Sequence, residues 1–319
     1  MDMKWLVAGF LLVFFSILSL FIGVSELSVM DIFSLSSEEK DVLVVSRIPR
    51  LISLLIAGMS MSIAGLIMQQ LSQNKFVSPT TAGTMDAARL GILVGMLLFP
   101  AATMMQKMLV AFLFALAGTF VFMKILDKIR YRDAVFIPLV GLMFGNIVGS
   151  ITTFLAYRYD LIQSVGTWLH GDFSMLIEGR YELLYISVPV VIIAYIFAHH
   201  FTIAGMGEDF ASNLGLSYQK VVYLGLGLVA LITASVVLTA GMLPFLGLIV
   251  PNIVTIYQGD HLRSSIWQTA ILGALFVLVC DIVGRVIIYP YEISIGLTVG
   301  VLGSGIFLYL LLRRRSYGL

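Results

Sequence analysis

Apolar residues fill this chain in long runs, and the polar breaks between the runs are short. A helix needs about 20 consecutive apolar residues to cross the hydrocarbon core of a bilayer, because each residue rises only about 1.5 Å. The rhythm predicts ten such helices, over 5–24, 48–70, 80–100, 108–126, 134–156, 182–201, 221–241, 243–257, 266–288 and 294–312. The eighth is too short to cross straight and holds Pro244 and Pro251, so a broken or partly re-entrant segment is expected there. Irregular backbone at membrane depth survives only where protein or a water-filled cavity covers it. The first run follows Lys4 as a signal peptide would. It exceeds the usual apolar core of about 7–15 residues and no small-x-small cleavage site closes it, so it reads as a retained span.

Composition agrees with the pattern: 60% of the 319 residues are hydrophobic, 12% are charged, and mean hydropathy is +1.03. Soluble domains are far more polar. The expected fold class is therefore all-α, a polytopic protein of the cell membrane. No Gly/Ser/Pro-rich linker or internal period divides residues 1–319, which read as one transmembrane domain. A net charge of +1 argues against a nucleic-acid partner, since phosphate binding needs a strong basic excess. Cys280, the one cysteine, lies inside an apolar run and has no partner for an internal disulfide.

Lysine and arginine at helix ends favour the cytoplasmic side. With ten spans and both termini inside, eleven basic residues fall inside and seven outside, while Arg89 sits within a span. Arg47, Arg50 and Arg285 are then misplaced at outer helix ends. Arg47 and Arg50 are three apart and share a helix face, so together they can grip a carboxylate on an approaching protein. Asp281 precedes Arg285 by four residues, a spacing that favours a local ion pair. Asp86 and Arg89 stand within a span, where unpaired charge is costly. They are expected to neutralise each other or near neighbours, or else to line or gate a pathway.

Small residues recur at four-residue spacing in Gly58/Ser62, Gly141/Gly145/Gly149 and Gly296/Gly300, as expected where helices pack closely in lipid. Several chemistries find no support. The chain has no Walker A motif and no Gly-Lys dipeptide, no His-Glu-x-x-His and no nucleophile elbow. His199-His200 lacks a third ligand for a metal. No cofactor or catalytic residue is expected, and energy from ATP would have to arrive through another chain.

Four ordered motifs carry a resemblance. The first is Arg47-Ile48-Pro49-Arg50-Leu51 with Ala57-Gly58, Ala64-Gly65-Leu66-Ile67-Met68-Gln69, Asn74 and Pro79. The others are Gly207-Glu208-Asp209 through Leu214-Gly215-Leu216; Gly241-Met242 with Phe245-Leu246-Gly247-Leu248-Ile249-Val250-Pro251; and Asp281-Ile282-Val283-Gly284-Arg285 with Glu292, Ile295-Gly296, Gly300, Gly303 and Phe307. The chain resembles the FecCD-type permease subunits of ferric-siderophore and cobalamin ABC importers. It departs from the family pattern at Asn252, often His, at Thr255, often Arg, and at Asp86 and Arg89, in a stretch often filled by small residues.

The resemblance implies a permease that works with cytoplasmic ATP-binding subunits, an extracellular substrate-binding protein and a second permease subunit, identical or homologous. It implies a ferric-siderophore cargo, with cobalamin or haem as alternatives. Arg47, Arg50 and Arg285 would receive acidic residues of the binding protein, and Gly207, Glu208, Asp209, Leu214 and Gly215 would contact the ATPase. The residues themselves leave a second class open, an ion-coupled secondary transporter using Asp86, Arg89 or Asp281 as a relay.

Overall fold

A computed structural model describes residues 3–23, 37–128, 136–174, 176, 181–259 and 262–315, and every regular element among them is helical. In chain order the helices are α1 (Met3–Phe21), α2 (Ser37–Val42), a π-helical turn (Leu43–Arg47), α3 (Ile48–Leu71), a 3-10 turn (Pro79–Ala82) and α4 (Thr84–Leu98). There follow α5 (Met104–Lys128), α6 (Phe136–Arg158), α7 (Ile162–Leu169), a 3-10 turn (Glu182–Ile186), α8 (Ser187–Ile196) and α9 (Ala198–Ala204). The chain continues through α10 (Glu208–Asn213), α11 (Tyr218–Ala240), α12 (Leu246–Gln258), α13 (Leu262–Val286) and α14 (Ile295–Arg315).

Helices occupy all ten predicted stretches, and among the described residues six are by themselves long and apolar enough to cross a membrane, or seven when a bent pair counts as one. The 15 residues of α4 and the 13 of α12 rise only about 22 and 20 Å, short of a core about 30 Å thick. The expected break at the eighth stretch takes the form of a short α12 entered through a left-handed Phe245. A second break, not anticipated, bends the sixth stretch by 62° between Glu182–Ile196 and Ala198–Ala204. Arg130, Arg132 and Arg180, which the orientation argument used, lie outside the described residues, as do both extreme termini.

α3 and α11 form the centre of the bundle, and α1 lies at its edge with Ser19 as its buried residue. Close backbone approach explains how α3 is surrounded. Gly58 faces Gly273 and Ala274 of α13, where an added Cβ would come within 2.7 Å of the Gly273 carbonyl, and a Cβ on Gly65 would run into Gly247 of α12. Glycine pairs of this kind let helices touch where lipid supplies no hydrophobic drive between them. Interhelical hydroxyl pairs add to this, Ser187 to Ser235 at 2.7 Å and Thr84 to Thr119 at 2.9 Å.

Pro251 inside α12 removes the amide hydrogen that would reach the carbonyl of Gly247. Gln69 of α3 fills the gap, its Nε2 donating to Gly247 O at 3.4 Å and Leu248 O at 3.1 Å. Asn252 donates from Nδ2 to Lys75 O and Leu248 O, both at 2.7 Å, and so ties α12 to the segment that leaves α3.

Candidate functional site

The three arginines expected at outer helix ends meet in one cluster where α1 ends, α3 begins and α13 ends. Its centre is Asp281, whose side chain is 1% exposed. Asp281 Oδ1 accepts from Arg50 Nη2 at 2.7 Å and from Arg50 Nε at 3.2 Å, and Asp281 Oδ2 pairs with Arg285 Nη2 at 2.7 Å. Arg50 Nη1 reaches Glu292 Oε2 at 2.8 Å. Glu292 is brought there by the return of the chain after α13, where Ile293 N donates to Gly284 O at 2.9 Å. The predicted local pair of Asp281 and Arg285 is thus formed, and a longer-range one joins it.

Arg47 and Arg285 also hold α1. Arg285 Nη1 donates to Ser19 O at 3.0 Å and Ile22 O at 2.7 Å, its Nη2 donates to Ser19 Oγ, and Arg47 Nη1 donates to Leu20 O. The last carbonyls of a helix lack intrahelical donors and carry its negative dipole end, so guanidinium groups are well matched to them. Both arginines are buried, at 8% and 6% exposure, whereas the Arg50 side chain is 15% exposed and Glu292 28%. Arg50 and Glu292 form the part of the cluster that meets the surface.

At the opposite end of α3 lies the segment from Gly207 to Leu216. α10 is short and sharply closed: Gly215 N donates to Ser212 O at 2.9 Å and Leu216 N to Ala211 O at 3.0 Å, with Gly215 at φ +79°. That paired bonding is a Schellman closure, and its left-handed position suits glycine. Ala211 is buried while Met206, Phe210 and Leu214, spaced four apart, are 58%, 48% and 58% exposed. The result is a rigid knob with an apolar ridge. A Cβ on Gly205 would strike the Gln70 side chain, so the stem of the knob rests on the end of α3. Gln69, Gln70, Gln73, Thr202 and Met206 line a cavity of about 470 Å³ beneath it.

Asp86 and Arg89 lie apart from both ends, in a recess between α4 and α6. Among the described residues neither side chain forms an ion pair within 4 Å, although the Arg89 charge acts on the Asp86 carboxylate across the recess.

Residues 11–313 match the FecCD transport family. The chain belongs to that family. It is similar to the petrobactin import system permease protein YclN of Bacillus subtilis (strain 168), 66% identical over 307 residues, which cover 96% of this chain and 97% of that one. It is also similar to the ferric-anguibactin transport system permease protein FatD of Vibrio anguillarum, 37% identical over 92% of this chain and 94% of that one. The fold matches a solved metal-chelate type ABC transporter in an inward-facing conformation, with a TM-score of 0.85 at 21% identity, over 97% of this chain and 98% of that one. FecCD relatives are permease subunits, so this is a transport component rather than an enzyme, a multi-pass protein of the inner membrane.

Two features went beyond the sequence reading. Met206 joins Phe210 and Leu214 in an exposed apolar ridge, and their four-residue spacing was a usable signal. The grip of Arg47 and Arg285 on α1 left no local signal, since the partners are backbone carbonyls far away in the chain.

Proposed function

We propose that this FecCD permease carries a ferric siderophore, ferric petrobactin first among them, within an ABC importer. The observation that carries the reading is the 66% identity, nearly end to end, to a permease named for petrobactin import; a second relative named for ferric anguibactin supports the class. Two permease subunits enclose the pathway, ATPase subunits press on the Gly207 to Leu216 knob, and a binding protein delivers cargo to the outer face. The chain crosses the membrane with both termini inside. The separation of the charged cluster and the knob to opposite ends of α3 supports this division of labour.

Within that reading the docking residues differ in role. Arg50, beside the surface and flanked by Glu292, receives an acidic side chain of the binding protein, while Arg47 and Arg285 keep α1 and the rim in place. In the knob, the apolar ridge enters a groove of the ATPase, with Glu208 and Asp209 at its edge.

Cells lacking this chain and restored with it, supplied with radioiron as ferric petrobactin, provide the test. Uptake is expected to disappear on deletion, return on restoration, and stop with vanadate. Uptake that survives vanadate and collapses instead with the ion gradient would overturn the ABC reading, and unchanged uptake after deletion would overturn the cargo.

A further inference from the structure

Charge inside a membrane-spanning bundle ordinarily finds a partner, because lipid offers none. Arg89 is only partly matched: its Nε is buried with no hydrogen-bond partner, and its charge acts on Asp86, three residues away on α4, without a direct ion pair within 4 Å. What surrounds them is built to leave them open. A Cβ on Gly145 would stand 2.5 Å from Asp86 Oδ2, and one on Gly149 would stand 3.3 Å from Oδ1. The two α6 glycines therefore make room for the carboxylate rather than serving helix packing alone.

The opposite wall carries a polar stripe beside the apolar Phe154 and Ile162. Asn146, Ser150, Thr153 and Tyr157 of α6 line it and are all exposed. Their spacing of four, three and four residues places them on one helix face, a stripe that extends about 16 Å along α6. A lipid-facing surface has no use for such a stripe beside two charged groups, and the volume of about 650 Å³ admits more than ordered water.

We infer that this recess is a contact site for the cargo. It takes a ligand group that presents an anionic oxygen to Arg89 and a neighbouring N–H or O–H donor to Asp86, while the α6 stripe supplies neutral hydrogen bonds. A guanidinium binds oxyanions in a fixed planar geometry and an ionised carboxylate only accepts, so the pair selects for a ligand with both features. The inference rests on the siderophore-import reading and adds to it the place and polarity of one contact.

The test uses the permease assembled with its ATPase and binding protein in proteoliposomes. Cys280 is fully buried, so a cysteine introduced at 153 is the reactive thiol. In the Thr153→Cys protein, a charged thiosulfonate is expected to react at least about tenfold faster than in Phe10→Cys, whose site is on the edge helix α1, and ferric petrobactin delivered by the binding protein should slow that reaction. Arg89→Gln should lower the radioiron delivered per ATP hydrolysed about tenfold, the cost of one charge-assisted hydrogen bond, while Arg89→Lys recovers most of it. If Arg89→Gln fails to assemble, Tyr157→Phe and Ser150→Ala give the same readout with smaller losses. Equal labelling at the two sites, labelling that cargo does not slow, or full delivery by the recess variants would overturn the inference. An unmodified assembly that imports no ferric petrobactin would instead remove the reading beneath it.

Discussion

Asp281→Asn is the most informative single change, because one carboxylate oxygen pair serves two guanidinium groups. The substitution keeps the shape and removes the charge. Two contacts of 2.7 Å, one to Arg50 and one to Arg285, become neutral amide contacts in a pocket where Asp281 is 1% exposed. Removing one partner of a buried ion pair costs about 3–5 kcal/mol, because the charge left behind stays desolvated. Here two cations remain, but Arg50 keeps Glu292 and Arg285 keeps the α1 carbonyls, so the lower end of that range, about 3 kcal/mol, is expected. Thermal unfolding of the purified permease in detergent, followed by intrinsic fluorescence, reads the loss as a lower midpoint. Arg285→Gln should cost less in the Asp281→Asn background than alone, with a coupling energy of about 1–3 kcal/mol. An unchanged midpoint, or strictly additive single changes, would refute the claim that Asp281 organises the cluster.

Arg50→Gln is expected to weaken association with the loaded binding protein about tenfold at low salt, with the difference shrinking as salt screens the contact; surface plasmon resonance on the immobilised permease measures both, and equal affinity at low salt would remove Arg50 from docking. Phe210→Ala truncates a half-exposed aromatic on the knob, so the permease should melt as before yet retain its ATPase subunits about tenfold more weakly in co-purification; full retention would place the contact elsewhere.

How much of this was legible in the sequence depends on the distance over which each contact acts. Helix positions followed from apolar runs, and the pair of Asp281 and Arg285 followed from a four-residue spacing that helix geometry enforces. Gly58 and Ser62 likewise announced a close helix contact, which α13 supplies through Gly273. Asp86 and Arg89 were read by the same local logic, and their charges interact without a direct contact within 4 Å. Residues three apart share a face without being obliged to touch, and the room made by Gly145 and Gly149 belongs to another helix. The bond of Arg50 to Asp281 spans 231 positions and depends on how α3 meets α13, which no local period encodes. Helix length was less legible: α4 and α12 are shorter than their apolar runs, because their ends are set by turns and by Phe245.

α3 connects the two ends of the molecule, and its packing decides what kind of motion it can transmit. Its 24 residues extend about 36 Å, from Arg50 in the charged cluster to Gln70 beneath the knob. Along that length it is clamped by backbone contact at Gly58 against α13 and at Gly65 against α12, with Gln69 bridging to the carbonyls freed by Pro251. Contacts without intervening side chains leave little room for α3 to slide or bend independently. α3, α12 and α13 should therefore shift as one body when the knob is pressed, while the 62° break between Ile196 and Ala198 lets α9 and α10 change angle against the rest. On the proposed reading, pressure on the knob would tilt that body and so move the charged cluster at its far end. The grip of Arg285 and Arg47 on the end of α1 would then carry the edge helix with it.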